Sequence, residues 1–167
     1  DFSRFGYAVS LSGDGKTMAA YSTGPDNVAV RSDIKIYNLV NNAWVLTGTL
    51  NSNSFSSFSS FYANVLELNH DGTIIATNTR SGSSIQEVHV FEYSGSEWSQ
   101  KGSTISNASN GFSFTPSGTT IAIGTGSTTT IYDFRESNGS SADWVARGSA
   151  IAQSGIISIS PTGNIVA

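Results

Sequence analysis

Residues that could carry acid–base or metal chemistry are few in this sequence. Histidine occurs twice, at His70 and His89. A metal site built on two histidines needs both imidazole rings about 2.0–2.1 Å from one ion, together with further ligands. His70 lies in a predicted turn and His89 in the middle of a predicted strand, so no pattern brings the two rings together. We therefore predict no metal site.

Carboxylates that could carry chemistry are also few. Glu87 and His89 share one face of a predicted strand, and with Glu67 they would form a polar cluster, which we expect to be a hydrogen-bonded patch rather than a catalytic centre. Neither a Gly-x-Ser-x-Gly elbow nor a phosphate-binding glycine loop occurs. The acidic residues of other predicted loops are scattered: Asp26, Glu136 and Asp143. The sequence therefore predicts no catalytic and no cofactor-binding residue.

The composition excludes several partners. Charged residues make up 12% of the 167 residues and the net charge is −4, which leaves no basic surface for nucleic acid. No apolar stretch is long enough for membrane insertion, and the absence of cysteine excludes disulfides.

A surface rich in serine, threonine and asparagine favours an extracellular or cell-surface setting. Asn107 and Asn138 match the N-glycosylation pattern and are candidate acceptors.

A repeated hairpin motif organises the chain. In the stretch FSFTPSGTTIAIG, from Phe112 to Gly124, two segments of alternating apolar and polar residues flank a Pro-Ser-Gly turn. The motif occurs four times, with turn glycines spaced by 57, 46 and 45 residues: Gly15, Gly72, Gly118 and Gly163. We predict that these glycines are conformational, because such turns need a positive φ.

Tryptophan recurs with the same period. Trp44, Trp98 and Trp144 each precede a glycine by four residues. One indole per repeat, at the start of the outer strand, is well placed to pack between neighbouring repeats, where it buries about 150–250 Å². The alternative is an aromatic platform on which sugars stack. The regular recurrence at one repeat position favours the structural role.

These periods predict an all-β chain, since no segment carries a helical stripe. A repeat of 45–57 residues with four strands is typical of a β-propeller blade. We predict one propeller segment over residues 1–167, with three full four-stranded antiparallel blades and the start of a fourth. The predicted ranges are 4–50, 61–105, 110–151 and 154–167 for the blades, and 51–60 for a Ser/Phe-rich bridge. The outer strands are predicted at 98–105 and 144–151.

The run FGYAVSLSGDGKT, from Phe5 to Thr17, resembles the opening of FG-GAP repeats in integrin-α-like surface propellers. The turns at Pro116 and Pro161 resemble the hairpins of WD40-like blades. The resemblance implies a propeller that binds a ligand or a protein. FG-GAP repeats often carry a calcium loop with several aspartates, whereas only Asp14 and Asp71 precede the turn glycines here. We therefore expect no calcium and no other cofactor.

Two functions remain. The first is a non-catalytic extracellular or cell-surface module that binds a protein or glycan or builds an assembly. The alternative is a propeller-type hydrolase or lyase with carboxylates or a metal at the channel mouth. Because propellers close with four to eight blades, we expect the segment to be part of a larger propeller. Further blades would come from the same polypeptide or from a second copy, and the isolated segment should be oligomeric or poorly soluble.

Overall fold

The computed structural model describes residues 4–23, 32–55, 65–81, 85–109, 111–136, 139, 141–153 and 155–167. These residues form three antiparallel sheets, called blades below, whose strands follow one another in chain order. The first blade contains β1 (Arg4–Leu11), β2 (Thr17–Thr23), β3 (Asp33–Val40) and β4 (Ala43–Asn51). The second contains β5 (Leu66–Leu68), β6 (Ile74–Ser81), β7 (Ile85–Tyr93) and β8 (Trp98–Gln100), with a short β9 (Ile105–Ser106) paired to β7. The third contains β10 (Phe112–Phe114), β11 (Thr120–Gly124), β12 (Thr129–Arg135) and β13 (Asp143–Ala146).

A hairpin follows the third blade. Ile159 and Val166 form a β-bridge, and Ser158 and Ala167 exchange two backbone hydrogen bonds of 2.8 and 2.9 Å. The hairpin is the start of a fourth blade, so the predicted all-β architecture of three four-stranded blades and part of a fourth is confirmed. A 3-10 turn (Ser52–Ser54) follows β4. In the part of the chain that the structure describes, no helix has the length and apolar character that crossing a membrane requires.

The strands form because their alternating residues place an apolar row on one face. In the second blade, Leu68 lies opposite Ile75, and Ile75 opposite Phe91. The same row occurs in the first blade as Leu11, Met18 and Tyr37, and in the third as Phe114, Ile121 and Tyr132. This equivalence shows that the sequence repeat is also a structural repeat.

The core lies between the blades. One cluster packs Tyr21 and Ile36 of the first blade against Ile75 and Phe91 of the second. The next packs residues of the second blade, among them Val90, against the third blade, which contributes Phe112, Ile121 and Ile123. Each fully buried side chain of this size contributes about 1.5–3 kcal/mol to folding. Hydrophobic burial therefore joins one blade to the next.

Two outer strands differ from the prediction. The strand predicted at 98–105 is interrupted after Gln100, because Gly102 has a φ of 72° that a continuous strand does not allow. The strand predicted at 144–151 ends at Ala146, before Gly148 with a φ of 67°. Ile151 then forms only an isolated bridge to Thr129.

The predicted bridge at 51–60 lies partly outside the described residues, as do 61–64 of the second predicted blade range. Asn51 ends β4, the 3-10 turn follows, and Phe55 is buried between the first two blades. Its ring contacts the rings of His89 and Phe91 edge-on, with centroids 5.1 and 5.2 Å apart. The end of β4 and this turn therefore place an aromatic side chain in the joint between the blades. Asp26 and Asn138 also lie outside the described residues.

Candidate functional site

The four turn glycines all have positive φ values of 71–73°. Three of them also lie close to the preceding blade. Gly72 approaches the side chain of Thr17 and Gly118 that of Ile74, so closely that a Cβ would collide with it. Gly163 makes the same approach to Thr120 with a little more room, at 3.3 Å. Thr17, Ile74 and Thr120 are equivalent positions at the start of the second strand. These glycines therefore serve both the turn and the joint between blades.

The tryptophans mark a second joint at the outer strands. A Cβ on Gly48 would lie 2.7 Å from Nε1 of Trp98, and a Cβ on Gly102 would lie 2.9 Å from Cδ1 of Trp144. Trp144 Nε1 also donates a 2.8 Å hydrogen bond to the Lys101 carbonyl of the preceding blade. Trp44 has no preceding blade among the described residues and is 43% exposed. The indoles of Trp98 and Trp144 thus pack between blades.

Asp14 and Asp71 cap their own turns. Asp14 accepts hydrogen bonds from Ser12 Oγ at 2.7 Å and from the Lys16 backbone N–H at 2.9 Å. Asp71 accepts from Thr73 Oγ1 at 2.6 Å and from the Thr73 N–H. These hydrogen bonds lower the pKa of both carboxyls. The two aspartates that precede turn glycines are therefore bound within the turns themselves.

Two further aspartates are also engaged in structural contacts. Asp143 accepts hydrogen bonds from Ser103 N–H at 2.6 Å and Ser103 Oγ at 2.7 Å, which ties the third blade to the second and lowers the pKa of Asp143. Asp133 forms an ion pair of 2.5 Å with Arg147, which lowers the pKa of its carboxyl. Arg147 also donates a 2.6 Å hydrogen bond to the Gly163 carbonyl. Both acids thus support contacts between neighbouring blades.

His89 is fully buried in the joint between the first two blades. Its Nε2 lies 3.1 Å from Thr79 Oγ1 and 3.5 Å from Glu87 Oε2, and its Nδ1 lies 3.3 Å from Thr104 Oγ1. Burial lowers its pKa from 6.5 to about 4, so the ring is neutral at physiological pH. His89 and Glu87 therefore meet, as the sequence indicates.

His70 plays a different part, through its backbone. Its carbonyl accepts a 2.8 Å hydrogen bond from Asp14 N–H of the first blade, and its N–H donates one of 2.8 Å to the Pro116 carbonyl of the third. The two histidines do not come together. Among the residues the structure describes, no three His, Asp or Glu side chains are grouped so that they could hold a metal ion.

Glu67 does not join His89, and the expected cluster of three is wrong in this respect. In the sheet register His89 lies in the row of Leu66 and Thr77, whereas Glu67 lies in the row of Ala76 and so projects from the opposite face. Its Oε2 accepts a 2.8 Å hydrogen bond from the Phe114 backbone N–H of the third blade.

Glu67 differs from the four aspartates described above, because its pKa is raised whereas theirs are lowered. Burial raises this pKa from 4.5 to about 7, and the hydrogen bond from the Phe114 N–H opposes the rise. A carboxyl that titrates near neutrality can both donate and accept a proton, which is the requirement for general acid–base catalysis. Comparison of the repeats singles out this position, because Ser10, Ser113 and Ser158 occupy it in the other hairpins.

A groove of about 280 Å³ lies between the third blade and the following hairpin. Its lining includes Thr129, Ile151, Ile157 and Val166, and none of the described side chains that line it is titratable. The groove therefore offers apolar contacts and no acid–base group. The candidate acceptor Asn107 lies elsewhere, on an exposed turn with a φ of 69°.

No protein-family model and no curated protein matches this chain. Among solved structures, it resembles a putative 6-phosphogluconolactonase from Bacteroides uniformis with 15% identity and a TM-score of 0.58, covering 95% of this chain and 45% of that one. The β-propeller domain of Cps50 (Swd1) from Myceliophteria thermophila is 12% identical with a TM-score of 0.55, and the match covers 92% of this chain and 44% of that one. The periplasmic gluconolactonase PpgL of Pseudomonas aeruginosa is 15% identical with a TM-score of 0.52, and the match covers 89% of this chain and 40% of that one.

The chain thus spans less than half the length of these three proteins. At such low identity the likeness shows the fold alone. The chain forms blades of a β-propeller, as its repeat predicts. The finer resemblance to FG-GAP repeats stays a prediction.

Proposed function

We propose that this chain is a non-catalytic propeller module, outside the cell or at its surface, that binds a protein or glycan or builds an assembly. One observation carries the proposal: the four aspartates whose pKa values are lowered all form contacts that stabilise turns or hold neighbouring parts of the fold together. Asp14 and Asp71 cap turns, Asp143 binds the second blade, and Asp133 binds Arg147. A hydrolytic site would need carboxylates that are free to meet a substrate.

The surface best suited to binding is the apolar face of the first blade. Val9 and Leu11 are 61% and 57% exposed, although their equivalents in the third blade, Phe112 and Phe114, are buried against a neighbouring blade. Trp44 is exposed on the same face. Exposed apolar side chains in this number favour a protein partner, either another blade or a second copy. The extracellular or cell-surface setting is supported by a composition rich in serine, threonine and asparagine.

Sedimentation velocity on the purified chain tests the assembly part of this proposal. We expect concentration-dependent oligomers that Leu11→Ser and Trp44→Ser convert to monomer. Val40→Ser is a matched control, since Val40 is 47% exposed and lies outside this row. A wild type that stays a 17.5 kDa monomer at every concentration contradicts self-assembly through this face.

A lactone hydrolase is the second candidate, favoured by the raised pKa of Glu67 and by the lactonases among the structural neighbours. In this function Glu67 would transfer protons to or from the opening ester bond. Hydrolysis of gluconolactone and its 6-phosphate, followed by pH-stat between pH 6 and 8, separates the two candidates. We expect no rate above buffer. A rate that Glu67→Gln abolishes would replace the binding module with the enzyme.

A further inference from the structure

A hydrogen bond recurs at one repeat position between consecutive blades, from a backbone N–H of the first strand to a side chain of the preceding blade. In the first joint, Leu68 N–H donates to Ser10 Oγ at 2.9 Å. In the third, Ile159 N–H donates to Ser113 Oγ at 3.2 Å. In the second, Phe114 N–H donates to Glu67 Oε2 at 2.8 Å. The geometry repeats along the chain, but only the middle joint uses an acceptor that can change its charge.

The surroundings of Glu67 contain little to balance a charge. Its neighbours in the sheet register, Ala76 and Val90, are buried against the third blade. The facing strands β10 and β11 contain no titratable residue. Tyr132 of β12 packs against this core from the third blade. On the second blade, Glu92 and Lys101 pair with each other at 2.8 Å, so their charges largely cancel.

We propose that Glu67 is a pH-sensitive clamp between the second and third blades, which holds the joint when its carboxyl is protonated and favours opening when it is ionised. A protonated carboxyl still offers an oxygen to the Phe114 N–H and brings no charge into the apolar joint. An ionised carboxyl must be desolvated to stay there, whereas opening lets water hydrate it. The serines of the neighbouring joints accept the same hydrogen bond at any pH.

The protonation equilibrium gives the direction and size of the effect. Burial raises the pKa of Glu67 in the closed joint to about 7, whereas an opened, hydrated carboxyl returns towards 4.5. The opening equilibrium therefore rises with pH between these values and is nearly constant outside them. Allowing for the partial exposure of Glu67, we expect opening to increase roughly tenfold or more between pH 5 and pH 7.5.

Amide hydrogen exchange read by NMR tests the clamp at its donor. After correction for intrinsic exchange rates, the protection of the Phe114 amide should fall roughly tenfold or more from pH 5 to pH 7.5. The Leu68 amide, which binds Ser10, serves as the internal control and should change less than about twofold. Constant protection of Phe114, or an equal loss at Leu68, overturns the proposal.

Two variants separate the charge from the hydrogen bond. Glu67→Gln keeps an acceptor oxygen of the same reach, and Glu67→Ser installs the group that the other joints use. In both variants the protection of Phe114 should be independent of pH, and their melting temperatures should exceed that of the wild type by about 4–8 °C at pH 7.5 but not at pH 5. A pH-dependent loss of Phe114 protection that persists in both variants refutes the clamp. These readouts are independent of self-association and of lactone hydrolysis.

Discussion

The indole of Trp98 lies against the backbone of Gly48, close enough that a Cβ at residue 48 would come within 2.7 Å of Nε1. The two residues belong to neighbouring blades, 50 positions apart in the chain. Trp144 and Gly102 repeat the contact one blade further on. At these two joints, the glycine four residues after a tryptophan leaves a space that the tryptophan of the next blade occupies. A Cβ on Gly148, by contrast, would have no atom within 4 Å.

Filling that space should loosen the joint. Gly48→Ala places a methyl group against the Trp98 ring, and we expect it to lower the free energy of unfolding by about 1–3 kcal/mol. Gly126→Ala is the control, because its Cβ would meet nothing closer than 4.0 Å. Urea denaturation followed by tryptophan fluorescence measures both variants. Equal stability of the two would show that Gly48 is not a packing requirement.

Two buried groups should give opposing pH dependences. Burial holds the pKa of His89 near 4, so its contribution is complete above pH 6.5 and is lost as the pH falls towards 4. Burial raises the pKa of Glu67 to about 7, so its contribution is complete below pH 4.5 and is lost as the pH rises towards 7. Each effect is on the order of 1–3 kcal/mol. The stability of the wild type should therefore change little between pH 4.5 and 6.5.

Single variants should separate the two opposing pH dependences of the free energy of unfolding. Across this pH range, Glu67→Gln should become more stable with rising pH, and His89→Gln should become less stable. Urea titrations at half-unit intervals of pH provide the measurement. Parallel pH profiles for the wild type and both variants would contradict the assignment of these slopes.

The Arg147 guanidinium should stabilise the hairpin that follows the third blade. It binds Asp133 and also donates to the Gly163 carbonyl, so Arg147→Met removes both contacts. We expect a loss of about 1 kcal/mol that shrinks in high salt, because the ion pair is partly exposed. Lys16→Met is the control, because Lys16 forms only an exposed ion pair of 3.9 Å with Asp14. This substitution should change the free energy of unfolding much less than Arg147→Met. Hydrogen exchange at Ala167, whose N–H binds Ser158, reports the hairpin directly.

Calcium should not bind in the turns. Asp14 and Asp71 each stand alone in their turns, and their oxygens already accept hydrogen bonds there. A calcium ion takes six to eight oxygen ligands, several of them carboxylates. Isothermal titration calorimetry should show no stoichiometric uptake. Tight binding that Asp14→Ala abolishes would restore the calcium-loop interpretation.

Local periodicity was enough to predict the blades and a tryptophan between them, but not the hydrogen bonds that join one blade to the next. Alternation around Phe112 and Phe114 and the turn at Gly118 specify a hairpin, because turn chemistry and side-chain period act over a few residues. The break after Gln100 could not be predicted, because nothing in the local sequence indicates that Gly102 adopts a left-handed φ of 72°. The role of Glu67 was missed for another reason. Its partner Phe114 lies 47 residues away, and only the packing of two blades brings them together.

The contact between Gly48 and Trp98 has a consequence for the evolution of this chain. The glycine is needed only while a large indole fills the space beside it, and the indole packs only while the glycine stays small. Among homologues, the two positions should therefore change together, even though they lie in different blades and do not pair within a sheet. Gly102 is a different case, because its φ of 72° favours glycine whether or not Trp144 fills the space beside it. Duplication of a single blade would copy both residues at once, because each of the three full blades carries a tryptophan and, four residues later, a glycine.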